Sequence, residues 1–193
     1  MATETDFLLA EYGQLRGEIL QRSETQHQLI SIALVALGAL IAVGLKDSPS
    51  ALLAYPMLAI FLSAGWSYND IQIAQLGIYI RHRIEDKLAG PGLGWEHAIL
   101  VDSASKRIGA RTRLATRGIL LGSELLTLAL YVLKRASAGF PEGRGVLNGE
   151  IALLVLSLAA IAFTFVVLRN EDSLIHAIDT SMKQPVRPRP DNR

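Results

Sequence analysis

Cysteine is absent from the chain, so disulfides and thiolate-based metal or redox sites are excluded from the start. Charge is scarce as well: Asp, Glu, Lys and Arg make up 19% of the 193 residues, where an ordinary soluble domain carries about 25%. The four histidines (His27, His82, His97 and His176) are scattered, without an H-x-x-x-H pair or other ligand spacing, and no metal site is expected of them. The stretch "GPGLG" at 90–94 lacks the flanking strand, the spacing and the Lys-Ser/Thr of a nucleotide-binding loop, and reads as a helix stop. No arrangement of nucleophile, base and orienting group stands out. The expectation is a protein that is not an enzyme and takes no cofactor.

What the chain has in quantity is apolar residues, half of the total, gathered in four blocks. They are 28–45 ("QLISIALVALGALIAVGL"), 51–68 ("ALLAYPMLAIFLSAGWSY"), 118–133 ("GILLGSELLTLALYVL") and 151–168 ("IALLVLSLAAIAFTFVVL"). Each approaches the roughly 17–25 residues that cross a bilayer as a helix. One such block fits the core of a soluble bundle, but four in a chain of 21.0 kDa leave too little polar surface to cover them. The fold class expected is therefore an all-α integral membrane protein with four transmembrane helices and a cytoplasmic layer of amphipathic helices. The polar, acidic first 27 residues lack the basic start and early apolar core of a cleavable signal peptide.

Orientation follows from Lys and Arg. Residues 1–27, 69–117 and 169–193 hold fifteen of the 19, leaving Lys46, Lys134, Arg135 and Arg144 on the other side. Both termini and the long central segment are thus expected in the cytoplasm. The chain divides into a cytoplasmic amphipathic helix (1–27), a first transmembrane hairpin (28–68), a cytoplasmic helical segment (69–117), a second hairpin (118–168) and a basic, proline-rich tail (169–193). Trp66 and Tyr68 are expected at the inner interface, and Tyr55, Tyr131 and Phe140 near the outer one, where amphipathic rings settle.

Before the first span, Leu8, Tyr12, Leu15 and Ile19 mark one helix face. With no Gly or Pro from there to residue 28, that helix is expected to run into the span unbroken. After the second span, Ile73, Leu76, Gly77, Ile80 and Ile84 mark another face, and the helix is expected to stop at "AGPGLG" (89–94). Ser103 or Ser105 is placed to cap a further helix leading into the third span. Near the C terminus "NEDSLIHAIDTSMK" reads as a short amphipathic helix, and the tail beyond it as extended chain. Segment 1–27 is net acidic and 103–117 wholly basic in its charges, which suggests contact between them. The basic residues Lys106, Arg107, Arg111 and Arg113 suit an anionic lipid leaflet or a nucleotide. No aromatic residue is interleaved among them for base stacking.

The third span holds an acid, Glu124. A carboxylate near a helix centre costs roughly 2–3 kcal/mol on an insertion scale, so it should face protein or water rather than lipid. Arg113, Arg117, Leu120, Glu124, Thr127 and Tyr131 step by four, three, four, three and four, which lines them on one face. Arg113, Arg117, Glu124, Thr127 and Tyr131 are the candidate polar lining of a pathway. The alternative is a Glu124 that merely ties helices together through Ser31, Ser63, Ser157 or Thr164. Close helix contacts are expected at Gly38 with Ala42, at Ala59 with Ser63 and Ser67, and at Ser157 with Ala160 and Thr164.

The segments "LLAEYGQLRGEILQR", "YPMLAIFLSAGWSYNDIQIAQLGIYIRHRIE" and "GLGWE" make the first hundred residues similar to a group of small, uncharacterised bacterial four-span membrane proteins. The resemblance implies a multi-pass protein of the bacterial inner membrane and brings no activity or site residues with it. In layout alone, the chain also looks like the membrane effectors of bacterial antiphage systems. Two functions fit the pattern. One is an oligomeric membrane channel or membrane-permeabilising effector, controlled through its cytoplasmic helices. The other is a non-conducting membrane anchor or scaffold that recruits a partner through 7–22 and 71–87. Expected partners are a bilayer with an anionic inner leaflet, further copies of the chain to bury the polar face, and a cytoplasmic protein or nucleotide ligand.

Overall fold

Thr3 and Asp6 start the first helix by exchanging bonds. The Thr3 N–H donates to Asp6 Oδ2 (2.8 Å) and the Asp6 N–H to Thr3 Oγ1 (3.2 Å), which satisfies two of the donors that a helix start leaves open. From there α1 (Glu4–Lys46) runs 43 residues without a break, about 65 Å at 1.5 Å per residue. The computed structural model describes residues 3–88, 90, 94–96, 98, 103–138 and 144–182. A 3-10 turn (Pro49–Leu53) leads into α2 (Ala54–Tyr79), which continues through a π-helical segment (Ile80–Glu85) and a last turn (Asp86–Leu88). Pro56 lies in the first turn of α2, where its missing N–H leaves no gap in the helix ladder. The helix ends ahead of Gly90 and Gly94, whose φ values of 93° and 128° favour glycine. Then come α3 (Ser103–Ala138) and α4 (Arg144–Met182). Every regular element among the described residues is helical, and four helices are long and apolar enough to cross a membrane.

The helices form an up-and-down bundle. Its hairpin end carries the connection 47–53, the end of α3 and the start of α4, and its termini end carries 4–27, 69–88, 103–117 and 169–182. α2 occupies the centre, packing mainly on α4 and α1. Half of its most apolar stretch is buried, against 11% for α1. Small residues bring α2 and α4 together as expected: Ala59, Ser63 and Ser67 on one helix and Ser157, Ala160 and Thr164 on the other are all buried. On α1 the expectation fails, because Gly38 faces open space. There the close approaches belong to Ala33, 1% exposed, and to Gly44, whose added Cβ would overlap the Leu52 side chain. Leu52 is itself fully buried and has nowhere to retreat. Gly44→Val is therefore expected to lower stability by about 1–3 kcal/mol, read as a lower unfolding midpoint of the detergent-purified protein.

Two apolar clusters sit at different heights. Leu52, Leu53 and Tyr131 form one toward the hairpin end, and Trp66, Leu120 and Leu168 form the other toward the termini end. These clusters correct the expected aromatic belts. Trp66, Tyr55 and Tyr131 turn inward to fill grooves between helices, and only Tyr68 stays largely exposed, at 58%. Phe140 and the tail 183–193 lie outside the described residues, as do the side chains of Lys106 and Arg107. Residues 170–182 are not a separate helix, since α4 continues to Met182 with no Gly or Pro between residues 150 and 182 to stop it. Two acids of 1–27 have partners elsewhere among the described residues. Glu11 accepts from Tyr79 Oη (2.9 Å), and Glu18 pairs with Arg22 (2.6 Å).

Candidate functional site

The periodic face of α3 is the face that the bundle buries. Leu120, Glu124, Thr127 and Tyr131 are 1%, 0%, 0% and 5% exposed. Their partners come from α2 and α4 of the same chain, so the polar face is covered without a second copy. Further copies are therefore not needed to bury it.

A polar stratum lies between the two apolar clusters. Thr164 Oγ1 donates to Glu124 Oε1 (2.9 Å), and Thr127 Oγ1 donates to the Glu124 carbonyl (2.9 Å). Ser63 Oγ is 3.4 Å from Thr164 Oγ1 and donates more closely to the Ala59 carbonyl (2.7 Å). Ser123 Oγ gives its only hydrogen to the Leu120 carbonyl (2.8 Å), so in the 2.8 Å contact with Tyr55 the tyrosine is the donor. Ser157 Oγ lies 2.8 Å from both the Leu53 and the Leu153 carbonyl, tying α4 to the 3-10 turn. One atom is left over: Glu124 Oε2 is buried and has no hydrogen-bond partner. Of the four hydroxyls considered for Glu124, Thr164 is the one that bonds it. Ser31 is exposed and returns its hydrogen to the His27 carbonyl (3.0 Å).

Charged clusters close the bundle at both ends. At the hairpin end Arg135 pairs with Glu150, Tyr131 Oη donates to the same carboxylate (3.4 Å), and the guanidinium stands 6.0 Å over the tyrosine ring. At the termini end Arg117 reaches across to α4, holding Glu171 (3.1 Å) and, with both nitrogens, Asp172 (2.9 and 3.1 Å). Glu171 is completely buried, and one of its oxygens has no partner. Burial, and after it the neighbouring Asp70 carboxylate, push the Glu171 carboxyl up to about 8. Arg117 instead holds Asp172 below the usual carboxylate range. Farther out, Arg81 pairs with Asp179, which also lies 3.4 Å from His82 Nε2. Arg16 meets Glu96 at 2.8 Å.

The sequence-predicted lining is thus one continuous buried face, with Arg113 and Arg117 only half-buried at its termini end. Arg111 is exposed. Sequence reasoning missed Glu171, Asp172, Asp70 and Glu150. A signal for two of them exists in the spacing. Arg117 lies seven residues before Glu124, and Glu171 lies seven after Thr164, so the two pairs occupy one antiparallel seam two turns apart. No known protein family matches the chain, and neither a curated protein nor a solved structure is similar to it.

Proposed function

We propose that the four apolar helices cross the bacterial inner membrane with both termini and 69–117 in the cytoplasm. In this reading the chain is an oligomeric channel or membrane-permeabilising effector in its closed form. The observation that carries it is Glu124: fully buried midway along an apolar helix, with one oxygen bonded to Thr164 and the other to nothing. An ionisable group at such depth is expensive and commonly marks a pathway. Apolar clusters seal the stratum on both sides, and separating α3 from α4 would open it to water. The cytoplasmic collar, including exposed Arg111, faces the anionic leaflet. Assembly of copies would use the outer surface of α1, the least buried of the four helices.

The test is membrane potential in bacteria on induced expression, wild type beside Glu124→Gln at matched abundance. Depolarisation by the wild type that the substitution alters by severalfold is the expected result. No depolarisation, or one indifferent to Glu124, would overturn the reading.

One observation favours the scaffold alternative. Phe7, Leu9 and Leu20 are 68%, 55% and 71% exposed on the part of α1 that precedes the apolar stretch. Leu8, by contrast, turns against the chain itself, with Leu15 and Ile19 half-buried beside it.

A further inference from the structure

Six segments of the chain converge near the termini end on an open cavity of about 370 Å³. That volume is within the range of about 300–1,000 Å³ typical of small-molecule sites. Part of its wall is apolar, with Ile73 and Ile78 from α2 and Ile175 from α4. Three arginines also line it, Arg16 of α1, Arg81 of the π-helical segment and Arg113 of α3, beside two carboxylates, Asp70 and Glu96, so its charged groups sum to one net positive charge.

Two of these arginines, Arg81 and Arg113, carry unused donors. Arg81 is 8% exposed and pairs with Asp179 through Nη2, yet its Nε is buried without an acceptor. Arg16 is more committed: its Nη2 pairs with Glu96 Oε1 (2.8 Å) and its Nε donates to Tyr12 Oη (3.2 Å). Arg113 makes no ion pair or hydrogen bond among the described residues, and feels Asp172 only as a neighbouring charge. Guanidinium groups match the oxygens of phosphate and carboxylate groups. Two with unused donors and the charge of a third, brought in from three elements, suit the several oxygens of a tetrahedral phosphate better than the two of a planar carboxylate. The apolar wall offers room for an uncharged body beside the anion.

We propose that this cavity binds a phosphate ester, with Arg113 as its principal anion contact, Arg81 supplying a further donor and the charge of Arg16 standing at its edge in its pair with Glu96. The phosphate comes either from a lipid headgroup of the adjacent leaflet or from a soluble metabolite. The lipid source rests on the membrane orientation proposed above; the cavity and its donors do not, and binding is measured without reference to conduction.

The test uses the full chain in dodecyl maltoside, a detergent without phosphate, titrated calorimetrically with adenosine monophosphate and separately with dihexanoyl phosphatidylglycerol. At least one probe is expected to bind the wild type, and Arg113→Gln is expected to weaken it by about tenfold or more, the scale of one charge-assisted bond. Arg169→Gln, at an exposed arginine outside the cavity, should bind as the wild type does. Because Arg113 supports no internal contact, its substitution should leave the ligand-free unfolding midpoint in place, so weakened binding is not a folding failure. Binding of the nucleotide alone assigns a soluble source, binding of the lipid alone assigns the leaflet, and binding of both assigns the shared phosphate. If neither probe binds, or if Arg113→Gln binds as tightly as the wild type, the proposal is wrong. A chain that binds without depolarising cells would keep this site and lose the channel; one that depolarises without binding would do the reverse.

Discussion

Arg117→Ala is expected to destabilise the protein by an amount that grows with pH, from about 1 kcal/mol near pH 6 to about 3–5 kcal/mol above pH 9. The reason lies in what the guanidinium leaves behind. Asp172 is 57% exposed and loses only a surface partner, whereas Glu171 is wholly buried. Folding raises the Glu171 carboxyl from its ordinary 4.5 to about 8. A carboxyl shifted in this direction binds more protons folded than unfolded. Its contribution is therefore fully favourable below the unfolded value and is lost as pH rises through the folded one. Near pH 6 the residue carries a proton and tolerates the loss of Arg117. Arg117 is what lowers the carboxyl toward 8, so without it the carboxyl rises further. Above pH 8 the wild type gains a paired carboxylate that the variant can form only as a buried, unpaired charge. Unfolding midpoints of wild type and Arg117→Ala across this range check the prediction, and Arg117→Ala with Glu171→Gln should remove the widening gap. A gap independent of pH would mean that Glu171 does not titrate in this window.

The second large effect belongs to the hairpin end. Arg135→Ala is expected to cost about 3–5 kcal/mol, because it strands the Glu150 carboxylate, which is 7% exposed and among the described residues keeps only the long Tyr131 bond. Breaking such a pair costs more than lacking it, so Arg135→Ala with Glu150→Gln should recover much of the loss. A double-mutant cycle on unfolding midpoints decides the point. If the double substitution is as unstable as the single, the damage comes from the lost stacking of Arg135 on Tyr131 rather than from the charge.

The helical architecture and the four apolar helices are legible in the sequence because block length and composition alone determine them. So is the buried face of α3, since residues 113, 117, 120, 124, 127 and 131 keep the helix period whatever lies opposite. The partners of that face are not legible. Periodicity tells which side of a helix is covered, but not by which neighbour or at what register. Glu171 and Asp172 therefore read as ordinary acids after an apolar block, and Arg81 gives no sign of Asp179, 98 residues away. The inward turn of Trp66, Tyr55 and Tyr131 escapes for the same reason. An amphipathic ring suits a bilayer boundary and a groove with a waiting hydroxyl equally well. Nothing in "IRHRIE" marks a π-helical segment, whose wider turn reflects packing around Arg81 and Glu85 rather than local preference.

The unbroken course of α1 has a mechanical consequence. Near its middle Leu29 and Ile30 rest on the cluster of Trp66, Leu120 and Leu168. Toward one end it is tied by Glu11 to Tyr79 and by Arg16 to Glu96, and toward the other Gly44 lies against Leu52. A stiff rod held this way is a lever with a central fulcrum. Its arms, from the fulcrum to Arg16 and to Gly44, are each about 20 Å. A push on Arg16 would arrive at Leu52 with nearly unchanged size and the opposite direction, so an event at the termini end would be felt across the bundle without any helix having to bend.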